Sequence, residues 1–252
     1  MRARPIIEAM GQAPAAGGNE ARGEARPRSR RTRAIAIDGP SAAGKSAVGE
    51  AVARRLGYLF LDTGTMYRAV TWAVLEKGVR PDDERPVAKL AETLKMDVQL
   101  AQPHLDRAAS VRVNGEDVGS QLRRPEIEKA VSLVSRIAGV RTALVEMQRR
   151  LAKGGPIVMS GRDIGTVVLP DADLKVYLEA SLEKRAARRY AEITGSKLST
   201  VAAELSNRDR LDSERQTSPL RPAPDAIIIE TDNLTLEEAV NRVLEIVESK
   251  TG

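Results

Sequence analysis

From Ala34 onward, short apolar runs alternate with stretches in which apolar residues recur every three or four positions. The first pattern predicts buried strands and the second amphipathic helices. Their alternation predicts an α/β fold with a parallel sheet flanked by helices. AIAID (34–38) is the first expected strand, and Val48, Ala51, Val52 and Leu56 mark the helix after it. YLFLD (58–62) follows, then a helix through Met66, Val70 and Val74 that stops at Gly78. Another helix is expected after Asp82 and Asp83. Residues 96–120 break the rhythm, because MDVQL and SVRV alternate as strands do and Asn114–Gly115 is a hairpin-turn signal. A small β excursion is expected there. Pro125 opens a helix and a further one spans about 140–153. PIVMS (156–160), LKVYL (174–178) and AIIIET (226–231) read as strands, with helices over about 181–193 and 199–215 between the last two. A capping box of Thr235 with Glu238 starts the closing helix, which is expected to bury Leu236, Val240, Val243 and Val247.

Residues 1–33 show no such period. They are rich in Ala, Gly, Arg and Pro, a composition that cannot repay the entropy of ordering, and a disordered basic tail is expected. Eight arginines against Glu8, Glu20 and Glu24 account there for the whole net charge of +5, leaving 34–252 neutral. The basic balance therefore does not point the folded part at nucleic acid, which only the tail could engage. An Arg-rich transit segment is disfavoured by the acidic residues and poor amphipathicity. The chain has no cysteine, and its single histidine, His104, lies in a loop-like stretch without a nucleophile elbow. Thiol catalysis, Cys-rich zinc sites and paired-histidine chemistry are thus excluded. No apolar run approaches 18 residues and no signal-like h-region follows the start, so a cytoplasmic chain without a membrane span is expected, with a monomer as the default.

Between the first strand and its helix stands GPSAAGKS, Gly39, Pro40, Ser41, Ala42, Ala43, Gly44, Lys45 and Ser46, with Ala47 next. It matches G-x-x-x-x-G-K-[ST], and strand before and helix after are the context the motif requires. The glycines let backbone N–H groups and the helix N-terminus surround a phosphate. Lys45 reaches the outer phosphates of ATP, and the Ser46 hydroxyl is the group the motif gives to Mg²⁺.

Such a loop leaves the reaction open. There is no Asn-Lys-x-Asp string and no evident ATP-binding-cassette signature. Separated arginines appear instead, as needed to hold two polyanions together against their repulsion. The strings IAIDGPSAAGKS, LDTGTMYRA, EDVGSQLRRPEIEKAVS, SGRDIGTVVLPDA and NRDRLDSER resemble the bacterial cytidylate kinases over nearly all of 34–248. The resemblance implies the P-loop nucleoside monophosphate kinase fold. It would comprise a CORE, an NMP-binding region of about 63–141 that includes the insert at 96–120, and a helical LID of about 181–215. It also implies transfer of the ATP γ-phosphoryl group to CMP or dCMP.

Carried over by resemblance, Thr63, Tyr67 and Arg68 surround the monophosphate, and Ser132 and Arg141 contact pyrimidine and phosphate. Arg162 binds the acceptor phosphate and Asp163 the base; both follow a buried strand, at the carboxyl edge where α/β ligands bind. Arg208 and Arg215 contact the transferring and acceptor phosphates, and Asp212 the sugar. Arg185, Arg188 and Arg189 match the LID arm over ATP, without an assignment among the three. From spacing alone, Arg208, Asp212 and Arg215 at i, i+4 and i+7 equally describe a solvated charged face, Tyr67 a core aromatic, and Arg162–Asp163 a surface ion pair. The sequence departs from the family at Ala42, where glycine is usual, at Ala47, often threonine, and at Thr63, commonly serine. Rival readings are a kinase for UMP or shikimate, a P-loop ATPase or regulatory module, and RNA binding through the tail.

Overall fold

The computed structural model describes residues 33–193, 195 and 197–251, so the expectation of a disordered tail falls, Arg33 apart, outside the described residues. These residues form a five-stranded parallel sheet in the order β2-β6-β1-β7-β8. The strands are β1 (Ala34–Asp38), β2 (Leu59–Asp62), β6 (Ile157–Ser160), β7 (Leu174–Glu179) and β8 (Ile227–Glu230). β1 is central, with Ile35 in register with Val158 on one side and Leu174 on the other. Ile35, Ala36 and Ile37 are wholly buried, which is why the strand reads as an unbroken apolar run.

Helices cover both faces. On one, α1 (Lys45–Leu56) and α8 (Leu236–Thr251) bury Val48, Val52, Val240, Val243 and Val247. On the other lie α2 (Thr63–Glu76), α3 (Glu84–Thr93), α4 (Pro125–Ser135) and α5 (Ala138–Ala152), closing over Met66, Val70, Val134, Leu144 and Met159. The capping box of α8 is formed, with Thr235 N donating to Glu238 Oε2 at 2.8 Å and Glu238 N to Thr235 Oγ1 at 3.2 Å. Leu236, expected in the core, is 52% exposed. Leu234, the residue before the cap, and Ala239 both pack into the core on this face, at the two positions of a hydrophobic staple.

The insert is a three-stranded antiparallel sheet of β3 (Met96–Gln99), β4 (Ser110–Val113) and β5 (Glu116–Asp117). Asn114 (φ 53°) and Gly115 (φ 89°) turn β4 into β5 with both residues left-handed, as a tight hairpin demands. Val111, Val113, Val118 and Leu122 pack on Trp72 of α2, whose indole N–H donates to Gln121 Oε1 at 2.9 Å. Beyond β7, α6 (Leu182–Glu192) and α7 (Leu198–Ser213) pair through Ala186, Val201 and Leu205. Helix α7 ends at Ser213, so Arg215 lies just past the helix on which it was expected. Among the described residues no helix is long and apolar enough to cross a membrane.

Candidate functional site

The carboxyl ends of β1, β2 and β6 open on one side of the sheet, and the loop after β1 lies over them. Gly39 sits at φ 146°, and a Cβ there would stand 2.2 Å from the Leu178 carbonyl oxygen, so no side chain fits. Gly44, at φ 90°, caps α1 in the left-handed region. Ala42 is also left-handed at φ 60°, where a Cβ costs about 1 kcal/mol. The departure from glycine at this position thus meets a conformation that favours glycine. Lys45 is buried and folds back on its own loop, donating to Pro40 O at 2.5 Å. Burial, with Arg162 nearby, holds its ammonium well below the usual lysine range. Ser46 Oγ donates to Asp62 Oδ2 at 2.8 Å, while Asp62 Oδ1 caps α2 by accepting from Gly64 N at 2.9 Å.

Helices α6 and α7 hold the loop from above. Ser41 N donates to Asp209 Oδ1 at 3.2 Å, and Arg185 donates to Ser41 O at 3.1 Å and to Asp209 Oδ2 at 2.5 Å. Of the three candidate LID arginines, Arg185 reaches the loop. Arg188 instead donates to Thr231 Oγ1 at 3.1 Å and to the Thr231 carbonyl, at the end of β8. Arg189 pairs with Glu192 at 2.9 Å.

Beside the loop, a cleft is lined by Ala42, Lys45 and Ser46 and by residues of α2, α4, α5, α7 and the β6 exit. At its base Arg141 and Asp163, each 4% exposed, form a buried ion pair, and Arg141 lies 5.3 Å over the Tyr67 ring. Arg141 also donates to Ser135 O at 3.2 Å. Tyr67 lines the cleft, and burial pushes its hydroxyl up to about 12 despite nearby Arg141. Thr63 Oγ1 donates to Ser160 O at 2.8 Å, and Ser132 contributes a buried hydroxyl from α4.

On the wall, Arg162 Nε donates to Asp212 Oδ2 at 2.8 Å. Arg215 donates to Asp212 and, at 2.9 Å, to Ser135 Oγ. Arg68 and Arg208 both donate to Glu128. The cleft thus gathers Thr63, Tyr67, Arg68, Ser132, Arg141, Arg162, Asp163, Arg208, Asp212 and Arg215. Burial, with Arg162 and Arg68 beside it, depresses Arg208 to about 10. The Nε atoms of Arg141, Arg208 and Arg215 are buried without a hydrogen-bond partner. An unsatisfied guanidinium N–H is costly inside a protein and is relieved by an anionic ligand.

Sequence reasoning missed four acids of this site: Asp38, Asp62, Glu128 and Asp209. The first two had a signal, since each ends an apolar strand at the edge where ligands bind. Glu128 and Asp209 are ordinary helical charges until their partners are known. Asp38 accepts from Ile164 N at 2.8 Å and Gly165 N at 2.7 Å. Burial raises its carboxyl to about 6, against an ordinary 3.8, more than those two bonds lower it. The raised value means that protonation favours the fold. This contribution is complete below about pH 4, is lost as pH rises through 6, and amounts to roughly 3 kcal/mol. Denaturant titrations from pH 4 to 7.5 should therefore show Asp38→Asn gaining about that much relative to the unsubstituted chain as pH rises. A constant difference would mean that the carboxyl titrates near its ordinary value.

The family model described as cytidylate kinase matches residues 35–249. Cytidylate kinases of Geobacillus sp. (strain WCH70) and Geobacillus kaustophilus are each 47% identical over 222 residues, covering 86% of this chain and 97% of theirs. That of Caldanaerobacter subterraneus subsp. tengcongensis is 47% identical over 221 residues, covering 86% of this chain and 95% of its own. A match of that length and identity, reaching from β1 through α8 and so through every wall of the cleft, makes this chain a member of the cytidylate kinase family.

Proposed function

We propose that the chain transfers the γ-phosphoryl group of ATP to CMP or dCMP, giving CDP or dCDP and ADP. The observation that carries this reading is the ring of buried, under-satisfied guanidinium groups beside a P-loop, a site built for two phosphorylated ligands at once. ATP takes the loop from Gly39 to Ala47, with Lys45 at its outer phosphates and Arg185 closing from α6. CMP takes the cleft. Arg68, Arg162, Arg208 and Arg215 hold its phosphate, Arg141, Asp163 and Ser132 its base, and Asp212 its sugar, with Thr63 and Tyr67 completing the wall.

An oxygen of the acceptor phosphate attacks the γ-phosphorus while the bond to the β–γ bridging oxygen breaks, and ADP leaves with that electron pair. The acceptor is already an anion, so no protein base is needed. Catalysis is positioning plus stabilisation of the charge spread over the transferring group, by Lys45, Arg162, Arg208 and Arg215. The Ser46 hydroxyl and Asp62 carboxylate, in mutual contact beside Lys45, are the hard oxygen donors that suit Mg²⁺. Bound there, the ion supplies charge neutralisation on the phosphates.

The same reading divides the chain into a CORE, an NMP-binding region of about 63–141, and a LID of about 181–215, acting as a cytoplasmic monomer on small-molecule nucleotides. Release of ADP, followed with CMP, dCMP, UMP, AMP and GMP in turn, should be strongly stimulated by CMP and dCMP. Preference for a purine acceptor would overturn the substrate assignment, and ADP release indifferent to any acceptor would make the chain an ATPase.

A further inference from the structure

Two of the arginines assigned to the acceptor phosphate already hold an anion belonging to the chain. Glu128, in the first turns of α4, divides its carboxylate between them: Oε1 accepts from Arg68 Nε at 2.7 Å and Oε2 from Arg208 Nη1 at 3.1 Å. Arg68 belongs to α2 and Arg208 to α7, so one side chain ties the acceptor side of the cleft to a LID helix. Glu128, Ser132 and Ser135 follow at spacings of four and three, which puts them on one face of α4. Ser132 and Ser135 line the cleft, so that face is its wall.

This is not the usual solvated helical ion pair. The Glu128 side chain is 16% exposed, and those of Arg68 and Arg208 are 16% and 20% exposed. Two cations from separate elements converge on one carboxylate, in a cluster that also holds Arg162 and Arg215. Burial alone would raise the Glu128 carboxyl, but Arg68 and Arg208 outweigh it and hold the group at about 2. It is therefore ionised wherever the enzyme works.

We propose that Glu128 is an internal stand-in for the acceptor's phosphate. It occupies Arg68 and Arg208 while the acceptor site is empty and releases them when CMP binds, and so sets the affinity for the phosphate. This rests on the assignment of Arg68 and Arg208 to the acceptor. A phosphate dianion contacting both arginines would lie beside the carboxylate that holds them, and like charges at that range repel strongly in a partly buried site. Binding therefore includes the loss of two charge-assisted hydrogen bonds to Glu128. The cost falls only on ligands that carry the phosphate: cytidine leaves the bridge intact.

Calorimetric titrations with CMP and with cytidine test this, on the unsubstituted chain, on Glu128→Gln and on Arg68→Met. In Glu128→Gln, CMP should bind on the order of tenfold more tightly. The KM for CMP should fall alongside, with cytidine affinity and the KM for ATP unchanged. CMP affinity that stays constant or weakens in that variant overturns the proposal and makes Glu128 an aligner of the arginines. Should Glu128→Gln melt well below the parent chain, Glu128→Ala is read by the same criterion. Arg68→Met separates the two levels of inference. If it weakens CMP but not cytidine, the phosphate does sit at Arg68 and the Glu128 result stands on its own. If it leaves CMP binding intact, the acceptor assignment itself is wrong.

Discussion

Asp163→Ala should lower the folding stability of the chain by about 3–5 kcal/mol, because it strands Arg141 as a buried charge. Both partners of this pair are 4% exposed, and without Asp163 the Arg141 guanidinium keeps the Ser135 carbonyl, the face of Tyr67 and the field of the Asp212 carboxylate, but no carboxylate in direct contact. For a domain of this size that corresponds to a fall in melting temperature on the order of 10 °C, measurable by calorimetry or circular dichroism. The loss should be non-additive with removal of the partner: Arg141→Met combined with Asp163→Ala should recover much of the stability, since no buried charge is left unpaired. Activity should not recover with it, because both groups are assigned to the cytosine base. A double variant as unstable as Asp163→Ala alone would mean that the destabilisation came from lost packing at the cleft base.

The opposite trade is expected at the loop. Lys45→Met should reduce kcat by about 10²- to 10³-fold, the usual effect of removing one electrostatic contact to a developing charge. Its stability should be equal to or above that of the parent. Lys45 is buried, its ammonium donates to a carbonyl of its own loop, and Arg162 stands near enough to make its charge costly. Folding holds this cation in an unfavourable place so that ATP can relieve it, and methionine removes the cost together with the function. Steady-state kinetics and denaturant unfolding on the same preparation check both halves. A variant that loses stability in step with activity would place Lys45 among structural residues.

Much of the architecture was legible because its causes are local. AIAID and YLFLD are strands as read, within one residue, since each supplies both faces of a buried parallel strand. The Asn114–Gly115 turn and the Thr235 cap follow from backbone chemistry that a few residues decide. What could not be read depends on contacts distant in the chain. IGTVV, an apolar run without a helix signal, winds as a short π-helix at Ile164–Val168. Its first N–H groups are drawn to Asp38, 126 residues earlier. The order of strands is likewise fixed by how helices cross the sheet, which strand patterns do not state.

The site divides in the same way. The loop announces itself, because phosphate binding by backbone imposes glycines at fixed spacing. The arginines stood out only together, through resemblance, and their directions were not readable. Arg185, Arg188 and Arg189 point from neighbouring positions of one helix. The packing of Ala186 on Val201 and Leu205 decides that the first faces the loop and the second faces Thr231. Glu128 and Asp209 carry no sequence signal at all, since a carboxylate among alternating charges becomes distinctive only through distant partners: Arg68 and Arg208 for Glu128, and Arg185 with the Ser41 N–H for Asp209.

Trp72 is the only tryptophan of the chain, and it stands one helical turn after Arg68, where α2 meets the β insert. Its ring is enclosed by Val111, Val113, Val118 and Leu122, and its N–H is tied to Gln121. Tryptophan emission from this enzyme therefore originates at a single seam, on the acceptor side and away from the lid helices. The molecule carries its own label-free optical gauge of how the insert rides on α2, one blind to motions of the phosphate loop and lid that leave the seam unchanged.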